Sequence, residues 1–114
     1  MREIKFRGYN KKEKKWFYGL IVDIGAKLAQ ICPSDTHGSV VVPIETIGQY
    51  TGLKDKTGKE IYEGDILSDG EEENEVRFWN GAFCLNRAAE YEELSMLIMK
   101  DYVIVGNIHG GMEK

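Results

Sequence analysis

The sequence predicts a mainly β protein, a small and strongly bent antiparallel sheet with one helix late in the chain. Three observations lead there. Short apolar runs alternate with polar residues instead of recurring at helical spacing. Glycines at positions 48, 52, 58 and 64 punctuate the middle of the chain. Glycine alone takes positive φ without steric cost, so these positions mark sharp reversals between strands. Finally, Asn80-Gly81 separates two alternating runs, Glu75–Trp79 and Ala82–Leu85. That dipeptide is preferred in two-residue hairpin turns because both central residues need φ > 0.

The elements follow in order. Residues 3–7 alternate, with Ile4 and Phe6 on one face and Lys5 and Arg7 on the other, as in a half-buried strand. Asn10-Lys-Lys-Glu-Lys-Lys15 is a polar hairpin tip. From Trp16 to Ile24 the even positions Trp16, Tyr18, Leu20, Val22 and Ile24 form an apolar strand face, while the other face is broken by Gly19 and Asp23. Ala26–Cys32 is a further strand, and Pro33–Gly38 a loop of turn-favouring residues. After the β-branched run Ser39–Val42, Pro43 opens a single turn over Ile44–Ile47, and the chain extends from Gly48 to Thr51. Asp55–Gly58 and Glu63–Asp65 are corners, Ile66-Leu67 starts a strand, and Ser68–Asn74 is an acidic loop. Residues 88–99 are the helix candidate, with Ala88, Tyr91, Leu94 and Ile98 at helical spacing and glutamates near its start. Asp101–Ile108 closes the chain as an apolar strand.

At 114 residues the chain is expected to be one domain, reading as an N-terminal β extension over 1–42 and a barrel-like part over 43–109. Apolar residues at 42% and charged residues at 30% fit a soluble globular protein. The formal charge of −4 argues against a protein that coats DNA by net charge. No apolar run approaches the ~20 residues of a membrane span, and Met1–Arg7 has no apolar segment of the secretory kind. The expected setting is the cytoplasm, without membrane contact. Cys32 and Cys84 lie in apolar surroundings and are expected to be reduced and buried.

The segment from Gly48 to Ile66, Gly-Gln-Tyr-Thr-Gly-Leu-Lys-Asp-Lys-Thr-Gly-Lys-Glu-Ile-Tyr-Glu-Gly-Asp-Ile, resembles the YopX-like family of phage and prophage proteins. The opening Arg2–Arg7 and the ending Tyr102-Val-Ile-Val-Gly-Asn-Ile108 are similar to that family's first and last strands. The resemblance implies a mainly β fold and a phage or prophage origin. It hands over no catalytic or binding residue. The rhythm from Gly64 to Leu85 also looks like that of small SH3-like barrels, so the bent sheet and one or two such barrels are the alternatives for the architecture.

Two charged segments are the candidate contact sites. Residues 1–15 hold seven basic residues against two acidic ones, followed at once by Trp16, Phe17 and Tyr18. Arg7, Lys11, Lys12, Lys14, Lys15 and Trp16 could serve nucleic acid, the cations meeting phosphates and the ring stacking on a base. They equally describe a solvated hairpin tip with the aromatics in the core, the reading that the negative overall charge favours. The mirror image is the stretch Glu60–Glu75, eight carboxylates with no positive charge, in which Glu71, Glu72 and Glu73 could imitate nucleic acid or dock on a basic protein. A disordered solvated loop is the plainer account, and the spacing lacks the alternating ligands of a calcium loop. Opposite charge in two parts of one chain also suggests a salt-sensitive homo-oligomer.

Enzyme readings have less behind them. His37 stands near Asp35, Thr36 and Ser39, yet no orienting third group or oxyanion site accompanies it. Two histidines and two cysteines show no zinc spacing, and no phosphate-cradling glycine pattern exists. The expectation is a cytoplasmic, non-catalytic phage or prophage accessory protein without cofactor. It would bind a macromolecular partner, a host or phage protein, and self-associate; the alternative is a nucleic-acid-binding small β-barrel.

Overall fold

The computed structural model describes residues 4–33, 38–79, 81–87, 90–93 and 102–109. They form eleven strands: β1 Phe6–Asn10, β2 Lys15–Ile24, β3 Leu28–Pro33, β4 Val40–Pro43, β5 Gly48–Lys54, β6 Glu60–Tyr62, β7 Asp65–Ser68, β8 Glu73–Trp79, β9 Ala82–Arg87, β10 Glu90–Glu93 and β11 Val103–Asn107. The single turn expected after Pro43 is a 3-10 turn, Ile44–Thr46. Two sheets result, in the orders β4-β3-β2-β1-β5-β6 and β10-β9-β8-β7-β11, and every pairing described is antiparallel. Of the two arrangements expected, the bent open sheet is the one found; among the described residues neither order returns to its first strand. The chain divides into two compact units, with the boundary between Tyr50 and Thr51.

In the first unit, β1 and β2 pair from Phe6↔Gly19 to Asn10↔Lys15, and β3 and β4 extend the sheet in antiparallel order. Directly paired residues share a face, so Ile31 lies with Ile21 and Val40, and Ala29 with Val42. Ala29, Ile31 and Val42 are the buried centre, packed by Phe6, Phe17, Ile21, Val40, Ile44 and Ile47. The sheet curls until the outer edges of β1 and β4 face each other. No ladder joins them; side chains do. Tyr9 N–H donates to Thr46 Oγ1 at 3.0 Å, the Thr46 hydroxyl donates to the Pro43 carbonyl at 2.8 Å, and Asn10 Nδ2 donates to the Val41 carbonyl at 2.8 Å. Gly8 makes the approach sterically feasible, because a Cβ there would stand 2.7 Å from Val42 Cγ2.

The curl reverses two expectations about faces. On β2, Phe17 and Ile21 pack against Ala29, Ile31 and Val42, while of the even positions Trp16 is buried and Leu20, Val22 and Ile24 are exposed. A bulge between Ile21 and Asp23 breaks the alternation, and the face enclosed is the one turned toward β4. Arg7 in β1 is 1% exposed, whereas Ile4, just before β1, is 61% exposed. Arg7 pairs with Tyr18 and lies on the face that carries Trp16, which is itself buried.

The second unit is a meander, with β8 and β9 joined through the two residues expected, Trp79 pairing with Ala82 and Gly81 at φ 88°. Ile61, Leu67, Val76, Phe83, Leu85 and Tyr102 form its core, with Leu53 and Ile104 against them. Residues 90–93, expected inside a helix, pair with Arg87–Cys84 as β10; the rest of the 88–99 span lies outside the described residues. Over Glu90–Glu93, pairing with β9 has overridden the helical spacing to which Tyr91 belongs. Of the four central glycines, Gly52, Gly58 and Gly64 have positive φ, but Gly52 lies within β5, and Gly48 is a strand residue paired with Arg7. Both cysteines are free thiols, Cys84 buried and Cys32 half-buried.

Glycine substitutions test the curl. Gly8→Ala should lower the unfolding free energy by about 1–3 kcal/mol, since the Val42 side chain has to move. Gly19→Ala should cost more, because its Cβ would land on the Cys32 carbonyl oxygen, a backbone atom held in the β2–β3 pairing. Urea unfolding of the two variants checks the order.

Candidate interaction site

The lysine segment is a four-residue turn, Lys11–Lys14, closing the β1–β2 hairpin. Asn10 organises it. Its Oδ1 accepts from Glu13 N–H at 2.7 Å and its carbonyl accepts from Lys14 N–H at 2.8 Å. Lys14 takes φ 59°, a left-handed conformation usually left to glycine or asparagine. Lys11, Lys12, Lys14 and Lys15 are all exposed, and the Lys15 ammonium stands 4.9 Å from the centre of the Phe17 ring.

Arg7 and Trp16, expected to act with these lysines, are turned inward. The Arg7 guanidinium lies 4.6 Å from the Trp16 ring centre, and Tyr9 meets the same ring edge-on at 5.4 Å. With Trp16 6% exposed, the ring presents no open face for stacking on a base. A desolvated cation over tryptophan is worth about 2 kcal/mol or more, so this pair belongs to the stability of the unit. The structure therefore gathers four of the six basic-site residues on one turn and separates the other two from it by burial.

The acidic segment is ordered and not the loose loop expected. Ser68 pairs with Glu73, leaving a four-residue turn built on Asp69. Asp69 Oδ1 accepts from Glu71 N–H at 2.9 Å and Glu72 N–H at 3.0 Å, and Ser68 Oγ accepts from Gly70 N–H at 3.1 Å. Glu71, Glu72 and Glu73 are exposed. Such Asx turns follow from sequence chemistry, and Ser68-Asp69-Gly70 was the available signal.

Thr51, Asp55 and Asp65 of the Gly48–Ile66 segment are engaged with backbone. Asp55 is the node. Its Oδ1 accepts from Thr57 N–H (2.8 Å), the Thr57 hydroxyl (2.7 Å) and Lys59 N–H (3.0 Å), and its Oδ2 accepts from Ile104 N–H at 3.0 Å. Thr51 Oγ1 donates to the Ile61 carbonyl at 2.8 Å, and Asp65 Oδ2 accepts from Tyr62 N–H at 2.8 Å across the Gly64 corner. The reach from Asp55 to Ile104 has no signal in the sequence. Burial works against the Asp55 charge, yet the Ile104 N–H, the Thr57 hydroxyl and the Lys59 and Thr57 N–H groups together hold its carboxyl below the usual aspartate value. His37 lies outside the described residues, and His109 donates its backbone N–H to Asn107 Oδ1 at 2.9 Å. No helix among the described residues is long and apolar enough to cross a membrane.

A family model described as YopX protein matches residues 5–113. No curated protein matches the chain. Among solved structures, the crystal structure of protein EF1440 from Enterococcus faecalis is similar, with a TM-score of 0.58 and 24% sequence identity, covering 96% of this chain and 95% of that one. That likeness speaks to the fold alone.

The Asp55 node sets an acid limit on stability. A carboxyl with a depressed folded-state pKa contributes fully above its unfolded value of about 3.9 and loses that contribution as the pH falls through the folded-state value. Unfolding free energies measured by urea at descending pH should fall across that range. Asp55→Asn should flatten the fall. It should also lower stability at pH 7 by roughly 1–3 kcal/mol, because an amide in either orientation turns its NH2 group toward a backbone N–H.

Proposed function

We propose, from the premise that the chain belongs to the YopX protein family, that it is a non-catalytic accessory protein that binds a macromolecular partner through the lysine turn at residues 11–15. The observation that carries this reading is the division of labour among its charges. Four lysines stand exposed on a turn whose backbone Asn10 fixes, while Arg7, Asp55 and Asp65 are spent inside. A fixed turn of like charge steers and orients an oppositely charged partner at little ordering cost. The non-catalytic part of the reading is supported by the engagement of Thr51, Asp55 and Asp65 with backbone groups of their own unit. Phage or prophage origin and action in the host cytoplasm belong to the same proposal and rest on the family resemblance.

The exposed glutamates 71–73 give the chain a counterpart charge, so a second copy is also a partner for the lysine turn. Such self-association is salt-sensitive by nature. Binding of nucleic acid is the second reading. The exposed lysines favour it for phosphate contact, but the burial of Trp16 removes the stacking half of the interaction.

Affinity capture by the tagged chain from host lysate, with and without nuclease, tests the proposal. The expected result is a retained protein that survives nuclease and is lost when Lys11, Lys12, Lys14 and Lys15 are all changed to Glu. Retention indifferent to that change would overturn the role of the turn, and retention abolished by nuclease would move the function to nucleic acid. Sedimentation at rising concentration, in low and in high salt, checks self-association, which is expected at low salt only.

A further inference from the structure

Beside the lysine turn the first unit holds a groove of about 560 Å³. Leu28, Pro43 and Ile44 give it an apolar floor, Lys11 and Lys27 stand at its rim, and Glu45 adds one carboxylate. The walls come from separate reversals of the chain that backbone bonds hold in place. Ile44 N–H donates to the Lys27 carbonyl at 3.0 Å, Gly25 N–H to the Leu28 carbonyl at 2.8 Å, and Asn10 ties the lysine turn to Val41. The groove opens onto exposed aliphatic surface. Leu28 is paired with Pro43 and lies on the same sheet face as Val41, and Leu20 lies on that face through its pairing with Cys32. Leu20, Leu28 and Val41 are 54%, 52% and 47% exposed.

We infer that this groove, acting with the lysine turn, takes an acidic amphipathic peptide segment of a partner protein. One or two apolar side chains of the segment cover Leu28, Pro43 and Ile44, and its carboxylates meet Lys11, Lys27 and the lysines of the turn. The inference rests on the proposed role of the turn and adds the chemistry of its partner. Charge complementarity selects the occupant. A second copy docking by this same face would bring the two sets of lysines together, which is repulsive. The acidic turn of a second copy, Asp69-Gly-Glu-Glu-Glu73, supplies carboxylates but no apolar residue for the floor. A chain of phosphates would leave that floor uncovered and would face Glu45. An extended segment alternating acidic and apolar residues satisfies both parts of the site.

Selection of short random peptides displayed on a carrier against the full-length chain tests this, followed by titration of the enriched peptides. Enriched peptides should combine Asp or Glu with Leu, Ile, Met or Phe. Their affinity should fall about tenfold or more for Lys27→Glu and likewise for Leu28→Ser, each a change at an exposed position. Amide signals of Lys27, Leu28 and residues 41–45 should shift on titration. Absence of enrichment, peptides without acidic residues, or unchanged affinity in the Leu28→Ser variant would overturn the groove. Loss of binding on reversal of the four turn lysines with Leu28→Ser silent would leave the turn's role standing while the groove falls. Binding to anionic phospholipid vesicles with Leu28-dependent affinity and no peptide enrichment would reassign the site to a membrane surface.

Discussion

Thr46 holds two stretches of backbone with one hydroxyl, accepting from Tyr9 N–H and donating to the Pro43 carbonyl. β5 pairs with only the first two residues of β1, so the second half of β1 would otherwise end in open donors and acceptors. Thr46 and Asn10 bring β4 to that half by side-chain bonds in place of a ladder. Everything particular about the first unit depends on this. The curl encloses Ala29, Ile31 and Val42, requires a glycine at position 8, and leaves Leu20, Val22, Ile24 and Leu28 on the outside. It also sets the lysine turn beside Pro43 and Leu28, which makes the groove. A polar side chain here does the work that a further strand would do in a closed barrel.

The second unit is organised by carboxylates that accept backbone N–H groups. Asp55, Asp65 and Asp69 each close a reversal, and in each case a glycine with positive φ stands close by, at 58, 64 and 70. Asp55 reaches beyond its own turn, to Ile104 in β11. Thr51, Asp55 and Asp65 of the Gly48–Ile66 segment are thus engaged in fixing the chain path.

What was legible in the sequence was local. The Asn80-Gly81 hairpin, the Asp55–Gly58 corner and the turn after Pro43 follow from dihedral preferences that a few residues carry by themselves. The choice of buried face did not. Both faces of β2 are apolar near its start, with Trp16 and Tyr18 on one and Phe17 and Ile21 on the other, so a period of two identifies a strand without saying which side is enclosed. Arg7 reads as a solvent cation until Trp16 is placed beneath it. Glu90–Glu93 satisfies a helical spacing and still pairs with β9, a tertiary outcome that spacing cannot anticipate. The candidate site was half legible: lysines and glutamates stood out by composition, whereas the groove needs Lys11, Lys27 and Pro43 from three separate reversals.

The bond from Ile104 N–H to Asp55 spans 49 residues, and that separation has a temporal meaning. The bonds that bring β1 to β4 lie among the first fifty residues, so the segments that make them leave the ribosome before the strands of the second unit do. Asp55 emerges soon afterwards and closes its own turn through Thr57 and Lys59, but one of its oxygens waits for the last strand. Until that strand arrives, Leu67 and Val76 lack the cover of Tyr102 and Ile104. Closing the core of the second unit therefore waits for Tyr102 and Ile104, and a ribosome paused in the stretch before residue 102 would hold that core uncovered.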